Sequence, residues 1–151
     1  MTNTYNLPPI FVISLKNSSR REFMAKRLNG LGLQFDFFDA VYGKELSEEA
    51  LSKVDYNFYK TYNPHPLTLG EIGCATSHIK IYEHMVKNNI SSAIILEDDA
   101  IVSQFFKEII EDILSKIHHS YELVFLDHGK VKSYPFKKKL IEGYRLAHYR
   151  S

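Results

Sequence analysis

The stretch Ile94-Ile-Leu-Glu-Asp-Asp-Ala-Ile-Val102 decides the fold class, because an apolar run leads directly into three consecutive carboxylates. A short apolar run is typical of a strand buried in a parallel sheet. Three like charges at the end of such a strand repel one another and resist desolvation, so a cation among them is the simplest explanation. The expected ion is Mn²⁺ or Mg²⁺, with the phosphates of a nucleotide or nucleotide-sugar completing its shell.

The composition is that of one globular domain over residues 1–151, with 44% hydrophobic and 25% charged residues. The formal net charge of +1 gives no general attraction for nucleic acid. Cys74 is the single cysteine, and the start lacks the basic and apolar segments of a signal peptide. We therefore expect a cytoplasmic protein without a transmembrane span.

The hydrophobic pattern predicts strands that alternate with helices. Possible capping boxes at Ser19 with Glu22 and at Thr68 with Glu71 open two of the helices. The first of these helices ends near Gly30 or Gly32. The predicted strands cover 10–15, 34–41, 92–96 and 121–126, and the other helices cover 47–54, 68–88 and 105–117. This order predicts an α/β domain with a mostly parallel central sheet flanked by helices.

Two segments show no sustained hydrophobic periodicity. Residues 55–66 are rich in Tyr, Asn and Pro and are interpreted as an irregular loop. Residues 130–151 form a basic segment, strand-like over 144–149, in which the run Lys137 to Lys139 is either a solvated face or a contact for anionic lipid headgroups.

Ligands of open α/β sheets bind at the carboxyl ends of the strands, where Glu97, Asp98 and Asp99 are expected. In an extended backbone Glu97 and Asp99 project to one side and Asp98 to the other. We expect Asp99 to be a direct metal ligand and Glu97 to coordinate directly or through water. Asp98 would contact ribose hydroxyls or hold the loop. The alternative is a solvated acidic loop without an ion.

The first turn, Ser14-Leu-Lys-Asn-Ser-Ser-Arg-Arg21, places two serines at a helix start and two arginines one turn in, an arrangement that attracts anions. It contains neither a G-x-G-x-x-G fingerprint nor a P-loop. Ordinary capping with solvated Arg20 and Arg21 is the alternative.

Glu71, Cys74 and His78 share one face of a predicted helix. A Cys-x-x-x-His pair could bind zinc, but further Cys or His ligands at suitable spacing are absent from the sequence. We expect a half-buried face with Cys74 as a small apolar group and His78 hydrogen-bonded. A ligand-facing Ser77-His78 pair is the second interpretation and a Cys-His nucleophile the third.

The tripeptide Asp127-His128-Gly129 follows the fourth predicted strand, at the same edge as the acidic cluster if the strands are parallel. Asp127 and His128 are therefore candidate catalytic groups. Turn chemistry explains these residues equally well.

Three ordered segments resemble glycosyltransferase family 25, the lipooligosaccharide galactosyltransferase-like family of bacteria. They are FVISLKNSSRR at 11–21, LGEIGCATSH at 69–78 and IILEDD at 94–99, supported by the stretch 35–46. The resemblance covers about residues 8–127. The Gly-Cys-x-x-Ser-His and Leu-Glu-Asp-Asp patterns are specific in combination.

The resemblance implies a GT-A-like, Rossmann-like fold for nucleotide-diphospho-sugars, with Glu97 to Asp99 in place of an Asp-x-Asp metal motif. It implies a UDP-hexose donor, namely UDP-galactose, and a saccharide acceptor on a lipid A-core glycolipid at the inner membrane face. The ion would offset charge on the leaving UDP in an inverting displacement that a general base assists. The implied donor-binding residues are Ser14, Arg20, Arg21, Ser77, His78 and Asp98.

Family members are longer than this chain, which is expected to correspond to their donor-binding portion. A non-catalytic nucleotide-sugar-binding remnant, or one half of a split enzyme, is the first alternative. A receiver-like phospho-signalling module is a further alternative, since Asp127 and the acidic pair lie at predicted strand ends. A receiver would carry its acidic pair after the first strand, where this chain has Ser14-Leu15.

Overall fold

The computed structural model of the protein describes residues 7–117 and 122–126 fully and 133–139 and 145–149 by their backbone. The contacts divide the chain into two compact units, one over Pro8–Ile101 and one formed by Leu7 with the described residues from Val102 onward. The elements of the first unit are β1 (Ile10–Ser14), α1 (Arg20–Gly30), β2 (Asp36–Asp39), a 3-10 helix (Gly43–Glu45), α2 (Glu48–Ser52), α3 (Tyr56–Tyr62), α4 (Leu69–Lys87) and β3 (Ile94–Glu97).

The three strands of the first unit form an open parallel sheet in the order β2-β1-β3. All five residues of β1 are buried, as expected for the central strand of a sheet that is covered on both faces. This sheet with its helices confirms the predicted α/β class and is consistent with a Rossmann-like GT-A fold. All three carboxyl ends lie at one edge.

The core of the first unit lies where α4 packs on the sheet. Phe11, Ile13 and Ile81 are buried together, and Phe38 and Met85 pack against them. The Phe11 and Phe38 rings meet edge to face with their centroids 6.4 Å apart. Apolar residues of β1, β2 and α4 therefore fix the helix against the strands.

The capping box at α4 is confirmed, whereas the one at α1 is wrong. Thr68 Oγ1 accepts a hydrogen bond from the Glu71 amide at 3.2 Å, and Glu71 accepts one from the Thr68 amide at 2.8 Å. Ser19 already has helical dihedrals, φ −63° and ψ −19°, and its side chain makes no capping bond. Ser18 instead accepts from the Arg20 amide at 3.2 Å. An N-cap residue is normally extended, so Ser19 cannot reach the amide three residues on.

The predicted irregular loop over 55–66 is wrong in its centre, since α3 occupies Tyr56–Tyr62. Asp55 caps this helix by accepting a hydrogen bond from the Phe58 amide at 2.8 Å. The rings of Phe58 and Tyr62, one turn apart, lie 5.1 Å from each other. A helix of two turns, stabilised by one cap and one pair of rings, is too short to show a sustained hydrophobic periodicity in the sequence.

The second unit contains α5 (Phe106–Lys116) and an antiparallel hairpin of β4 (Ser133–Lys139) and β5 (Arg145–Tyr149). Phe106, Ile109, Ile110 and Ile113 are buried, which confirms the amphipathic helix. The strand-like character over 144–149 is confirmed by β5. None of the described helices has the length and apolarity that crossing a membrane requires.

The fourth predicted strand is wrong for residues 122–126, where no strand forms. Leu123 and Leu126, two of the apolar residues that suggested a buried strand, are exposed. Extended propensity yields a strand only when a partner and a packing surface are present.

Candidate active site

The parallel pairing brings the end of β1 beside the acidic cluster that follows β3. Ile13 is in register with Glu97, so the next residues, Ser14 and Asp98, lie side by side. Ser14 Oγ donates a hydrogen bond to Asp98 Oδ2 at 2.6 Å. This contact joins the first turn to the acidic cluster.

Asp98 is the centre of a polar network. Ser18 Oγ donates to Asp98 Oδ2 at 3.0 Å, and Arg20 Nη1 donates to Asp98 Oδ1 at 3.3 Å. Burial opposes ionisation of this carboxyl, but the hydrogen bonds from Ser14, Ser18 and Arg20 outweigh it and hold the pKa of Asp98 below its ordinary value. Of the two roles expected for Asp98, holding the loop is the one that these contacts favour.

The two arginines of the first turn have different surroundings. Arg20 Nη1 also lies 3.4 Å from Asp99 Oδ2, and the Arg20 side chain is 61% exposed. Arg21 Nη2 donates to the Ser14 carbonyl at 2.8 Å and pairs with Asp39, while its guanidinium lies 4.9 Å from the centre of the Phe37 ring. Arg20 is therefore accessible to an anion in solvent, and Arg21 ties β1 to β2.

A cleft of about 470 Å³ opens at this edge of the sheet. Its volume lies within the range typical of small-molecule sites. Residues that line it include Ser14, Ser18, Arg20, Cys74, Glu97 and Asp98, and the loop 41–44 forms a further wall.

The wall at 41–44 contains residues that the sequence interpretation missed. A Cβ atom on Gly43 would lie 1.7 Å from the Leu69 carbonyl oxygen, and one on Gly73 would lie 2.7 Å from the Val41 carbonyl oxygen. The loop and α4 thus touch backbone to backbone, which only glycine permits. A glycine inside a predicted helix, such as Gly73, was the available signal for such a contact.

Ser77 is buried inside this contact. Its hydroxyl donates to the Gly73 carbonyl at 2.7 Å and accepts from the Val41 amide at 2.8 Å. The proton and one of the two lone pairs of this hydroxyl are therefore engaged inside the wall. In the structure Ser77 positions the wall of the cleft.

Cys74 and His78 face the end of β3. The expectation that Cys74 is a half-buried apolar group is wrong, because its side chain is exposed. Cys74 Sγ and His78 Nε2 each lie 3.6 Å from Glu97 Oε1. Glu71, on the same helix, bonds instead to Thr68 and to the Tyr59 hydroxyl at 2.9 Å. Glu97 reaches Cys74 and His78 because α4 packs beside the end of β3, and the spacing of residues along a helix does not reveal such a long-range contact.

The electrostatic surroundings of Cys74 argue against a nucleophilic thiolate. Partial desolvation, and then the nearby Glu97 carboxylate, raise the pKa of the Cys74 thiol above its ordinary value. Since the thiolate is the reactive form, the Cys-His nucleophile interpretation loses support.

Glu97 and Asp99 are the carboxylates of the cluster that could hold a hard divalent cation. Residues 98 and 99 form a turn in which the Ala100 amide donates to the Glu97 carbonyl at 3.1 Å, so the backbone is not extended there and the expected projection of Glu97 and Asp99 to one side does not apply. Their side chains are 55% and 63% exposed, whereas Asp98 is 14% exposed and already accepts three hydrogen bonds. Exposed carboxylate oxygens are the ligands that Mg²⁺ and Mn²⁺ prefer. The candidate catalytic residues Asp127 and His128 lie outside the described residues.

Known proteins are similar to this chain. The profile of glycosyltransferase family 25 (LPS biosynthesis protein) matches residues 7–151. The chain is 34% identical over 134 residues to a Glycosyltransferase 25 family member of Drosophila melanogaster, covering 84% of this chain and 22% of that protein. It is 36% identical over 123 residues to Procollagen galactosyltransferase 1-B of Xenopus laevis, covering 78% and 20%. Inactive glycosyltransferase 25 family member 3 of Mus musculus is 28% identical over 142 residues, covering 89% and 24%.

The chain spans about a fifth of the length of these curated relatives. They are animal proteins, whereas the sequence motifs resemble the bacterial branch; the family is the same in both cases. A profile match over nearly the whole chain leaves no place for the receiver-like alternative. On this match, and on the two relatives above 30% identity, the chain belongs to glycosyltransferase family 25.

Proposed function

We propose that this chain is the donor-binding part of a glycosyltransferase that transfers galactose from UDP-galactose to a saccharide acceptor. The observation that carries the proposal is the acidic segment at the carboxyl end of β3, beside Arg20 and the cleft, in a chain of family 25. The name of the Xenopus laevis relative supports galactose as the sugar. Ligands of this fold class bind at the same edge of the sheet.

The charges at the cleft support a cation cofactor. Asp98 and Asp99 share the guanidinium of Arg20, and the partners of Glu97 among the described residues are a thiol and an imidazole. An anionic diphosphate that entered alone would meet an excess of negative charge. Glu97 and Asp99 would hold Mn²⁺ or Mg²⁺, and the bound ion would offset the charge that builds on the leaving UDP.

The side chains of this chain would then have separate tasks. Arg20 would leave Asp99 and pair with the diphosphate, since arginine binds phosphate oxygens with two hydrogen bonds. Asp98, fixed by Ser14 and Ser18, would keep the loop and Arg20 in place. His78 would border the donor beside Glu97. We propose an inverting displacement in which a general base takes the proton of the acceptor hydroxyl; Asp127 and His128 stay the candidates that the sequence offers for this base.

For the acceptor we propose a saccharide on a lipid A-core glycolipid, met at the inner face of the cytoplasmic membrane. The description of the family as LPS biosynthesis proteins supports this acceptor, and the basic run Lys137 to Lys139 supports contact with anionic headgroups. The procollagen galactosyltransferase name of a relative favours a protein acceptor instead. Offering both acceptors to the enzyme with labelled UDP-galactose distinguishes them by which one becomes labelled.

Isothermal titration of UDP into the full chain tests the donor and metal sites together. We expect Mn²⁺-dependent binding of UDP that Asp99→Asn weakens by about tenfold or more, as loss of a metal contact does. Glu83→Gln, an exposed carboxylate on α4, is the matched control and should bind as the parent does. UDP binding that is equal in Mn²⁺ and in chelator would overturn the metal proposal.

A binding role without turnover is the second candidate. The chain corresponds to about a fifth of its relatives, and one relative carries the word inactive in its name. If the titration shows Mn²⁺-dependent UDP binding while UDP-galactose with either acceptor gives no UDP release, the binding role stands. Release of UDP that requires the acceptor, labels it with galactose and is abolished by Asp99→Asn would establish transfer.

A further inference from the structure

A second group of potential metal ligands lies in the first unit, on the α4 side of Glu97. Cys74 and His78 are four residues apart on α4, so their side chains share one helix face. Glu97, the last residue of β3, places one carboxylate oxygen against both. One ligand atom from each of the three residues lies within 4.8 Å of the other two.

The distances suit a tetrahedral ion. Cys74 Sγ to Glu97 Oε1 and His78 Nε2 to Glu97 Oε1 are both 3.6 Å. Zinc bonds of about 2.3 Å to sulfur and about 2.0–2.1 Å to nitrogen or oxygen give tetrahedral edges of roughly 3.3–3.6 Å. The third edge, between Cys74 and His78, is at most 4.8 Å, so an ion entering between the three atoms would draw these two side chains together. The Cys74 thiol donates a weak hydrogen bond to Glu97, which the ion would replace when the thiol proton is lost.

The donor types select the metal. A thiolate and an imidazole favour Zn²⁺ over Mg²⁺ or Mn²⁺, which prefer oxygen. Three protein ligands leave a fourth tetrahedral position for water or another small ligand. We propose that Cys74, His78 and Glu97 form a binding site for Zn²⁺, distinct in its ligands from the Glu97 and Asp99 pair. On binding, the thiol proton of Cys74 is released to solvent and the sulfur–zinc bond forms.

The shared residue gives the site a regulatory consequence, which rests on the proposed function. Because Glu97 belongs to both sets of ligands, Zn²⁺ on Cys74 and His78 competes with Mn²⁺ at the donor site. We expect Zn²⁺ to weaken Mn²⁺-dependent UDP binding by about tenfold or more when both ions are present. Cys74→Ser should abolish this inhibition, measured as the ratio of the UDP affinities of that variant in Mn²⁺ with and without Zn²⁺.

Cobalt substitution tests the zinc site without any activity measurement. Co²⁺ added to the full chain should give a thiolate-to-cobalt charge-transfer band in the near ultraviolet and the intense visible bands of a tetrahedral site. Cys74 is the only cysteine in the sequence, so the charge-transfer band reports this residue alone. Zn²⁺ should abolish both sets of bands by displacing Co²⁺.

Single substitutions separate the two metal sites. Cys74→Ser should remove the charge-transfer band, and His78→Asn and Glu97→Gln should each weaken Co²⁺ binding by about tenfold or more. Asp99→Asn should keep the cobalt spectrum while losing Mn²⁺-dependent UDP binding. Circular dichroism of each variant shows that it is folded.

Three outcomes overturn the zinc site. The first is a spectrum without the thiolate band, and the second is a spectrum unchanged by His78→Asn and Glu97→Gln. The third is a stoichiometry of half a Co²⁺ per chain, because one ion is then held by the Cys74 residues of two molecules. A tetrahedral cobalt spectrum in a chain that fails to bind UDP with Mn²⁺ supports the zinc site and refutes the donor site. The two proposals therefore fail independently.

Discussion

Asp98 is a largely buried carboxylate whose ionised form is stabilised by hydrogen bonds from its neighbours. Its side chain is 14% exposed, and its donors come from the end of β1, from the following turn and from α1. A buried charge without partners would be strongly destabilising, so the three donors are a condition of the fold at this edge. The same donors keep Asp98 away from solvent cations and leave Glu97 and Asp99 exposed.

The Asp98→Asn variant should lose stability in a pH-dependent way. The amide carries no charge, so the hydrogen bonds from Ser14, Ser18 and Arg20 lose their charge assistance and the unfolding free energy at pH 7 should fall by about 2 kcal/mol. Because the folded pKa of Asp98 lies below its unfolded value, the lost contribution is present above the ordinary Asp pKa of about 3.9 and vanishes as pH falls through the folded pKa. Urea unfolding of both proteins between pH 7 and pH 3 measures this difference, and a constant difference would contradict the account.

Gly73→Ala should destabilise the protein by about 2 kcal/mol. The new methyl group would lie 2.7 Å from the Val41 carbonyl oxygen and 2.9 Å from the Gly43 amide nitrogen, both backbone atoms that cannot rotate away. Gly70→Ala, one turn earlier on α4, is the control, because the nearest atom to its methyl would be Thr68 Oγ1 at 3.8 Å. Since alanine favours helix, Gly70→Ala should be neutral or stabilising. Thermal or urea unfolding that ranks the two variants equally would refute the backbone contact.

At the scale of elements, the ends of α4 are defined by side-chain and backbone bonds that the sequence indicates. Thr68 and Glu71 cap its start reciprocally. At its end Asn89 has φ +54°, and the Ile90 amide donates to the Met85 carbonyl at 2.9 Å, an arrangement typical of a helix terminus with a left-handed residue. The helix that carries Cys74, Ser77 and His78 is thus fixed at both ends.

Thr68→Ala should cost about 1 kcal/mol of unfolding free energy, because the Glu71 amide loses its capping acceptor. Ser19→Ala is the matched control at the start of α1, where the side chain makes no capping bond. Its effect should stay within about 0.5 kcal/mol, as for other exposed substitutions. Equal costs in chemical denaturation would mean that the difference between the two helix starts is not maintained in solution.

Elements could be predicted where the signal is local and long enough. The apolar run of β1 and the period of α4 indicate their buried faces directly. The helix α3 was missed because Asp55 and the Phe58–Tyr62 pair stabilise only two turns. The strand expected over 121–126 was wrong for the described residues 122–126, because Leu123 and Leu126 have apolar side chains that are exposed where a buried strand would cover them.

At the scale of the molecule, the meeting of Ser14 with the acidic segment at one sheet edge could be predicted, but the contacts made there could not. Parallel strands place Ser14 and the acidic segment at one edge, which the order of elements already indicates. The strand register decides which carboxylate is largely buried and hydrogen-bonded and which ones are exposed. Ile13 pairs with Glu97, so Asp98 lies beside Ser14. Likewise, only the packing of α4 beside the end of β3 brings Cys74 and His78 to Glu97.

The strand order β2-β1-β3 also has a consequence for synthesis on the ribosome. β1 can pair with β2 soon after both leave the ribosome. Its other partner, β3, is synthesised much later, since Ser14 and Asp98 are 84 positions apart. At translation rates of about 5–20 residues per second, the nascent chain waits about 4–17 s with one edge of its most apolar strand uncovered. An open edge of that kind can pair with another chain. Slower decoding between codons 40 and 94 would lengthen this interval, so we expect the yield of folded protein to depend on translation speed in that window.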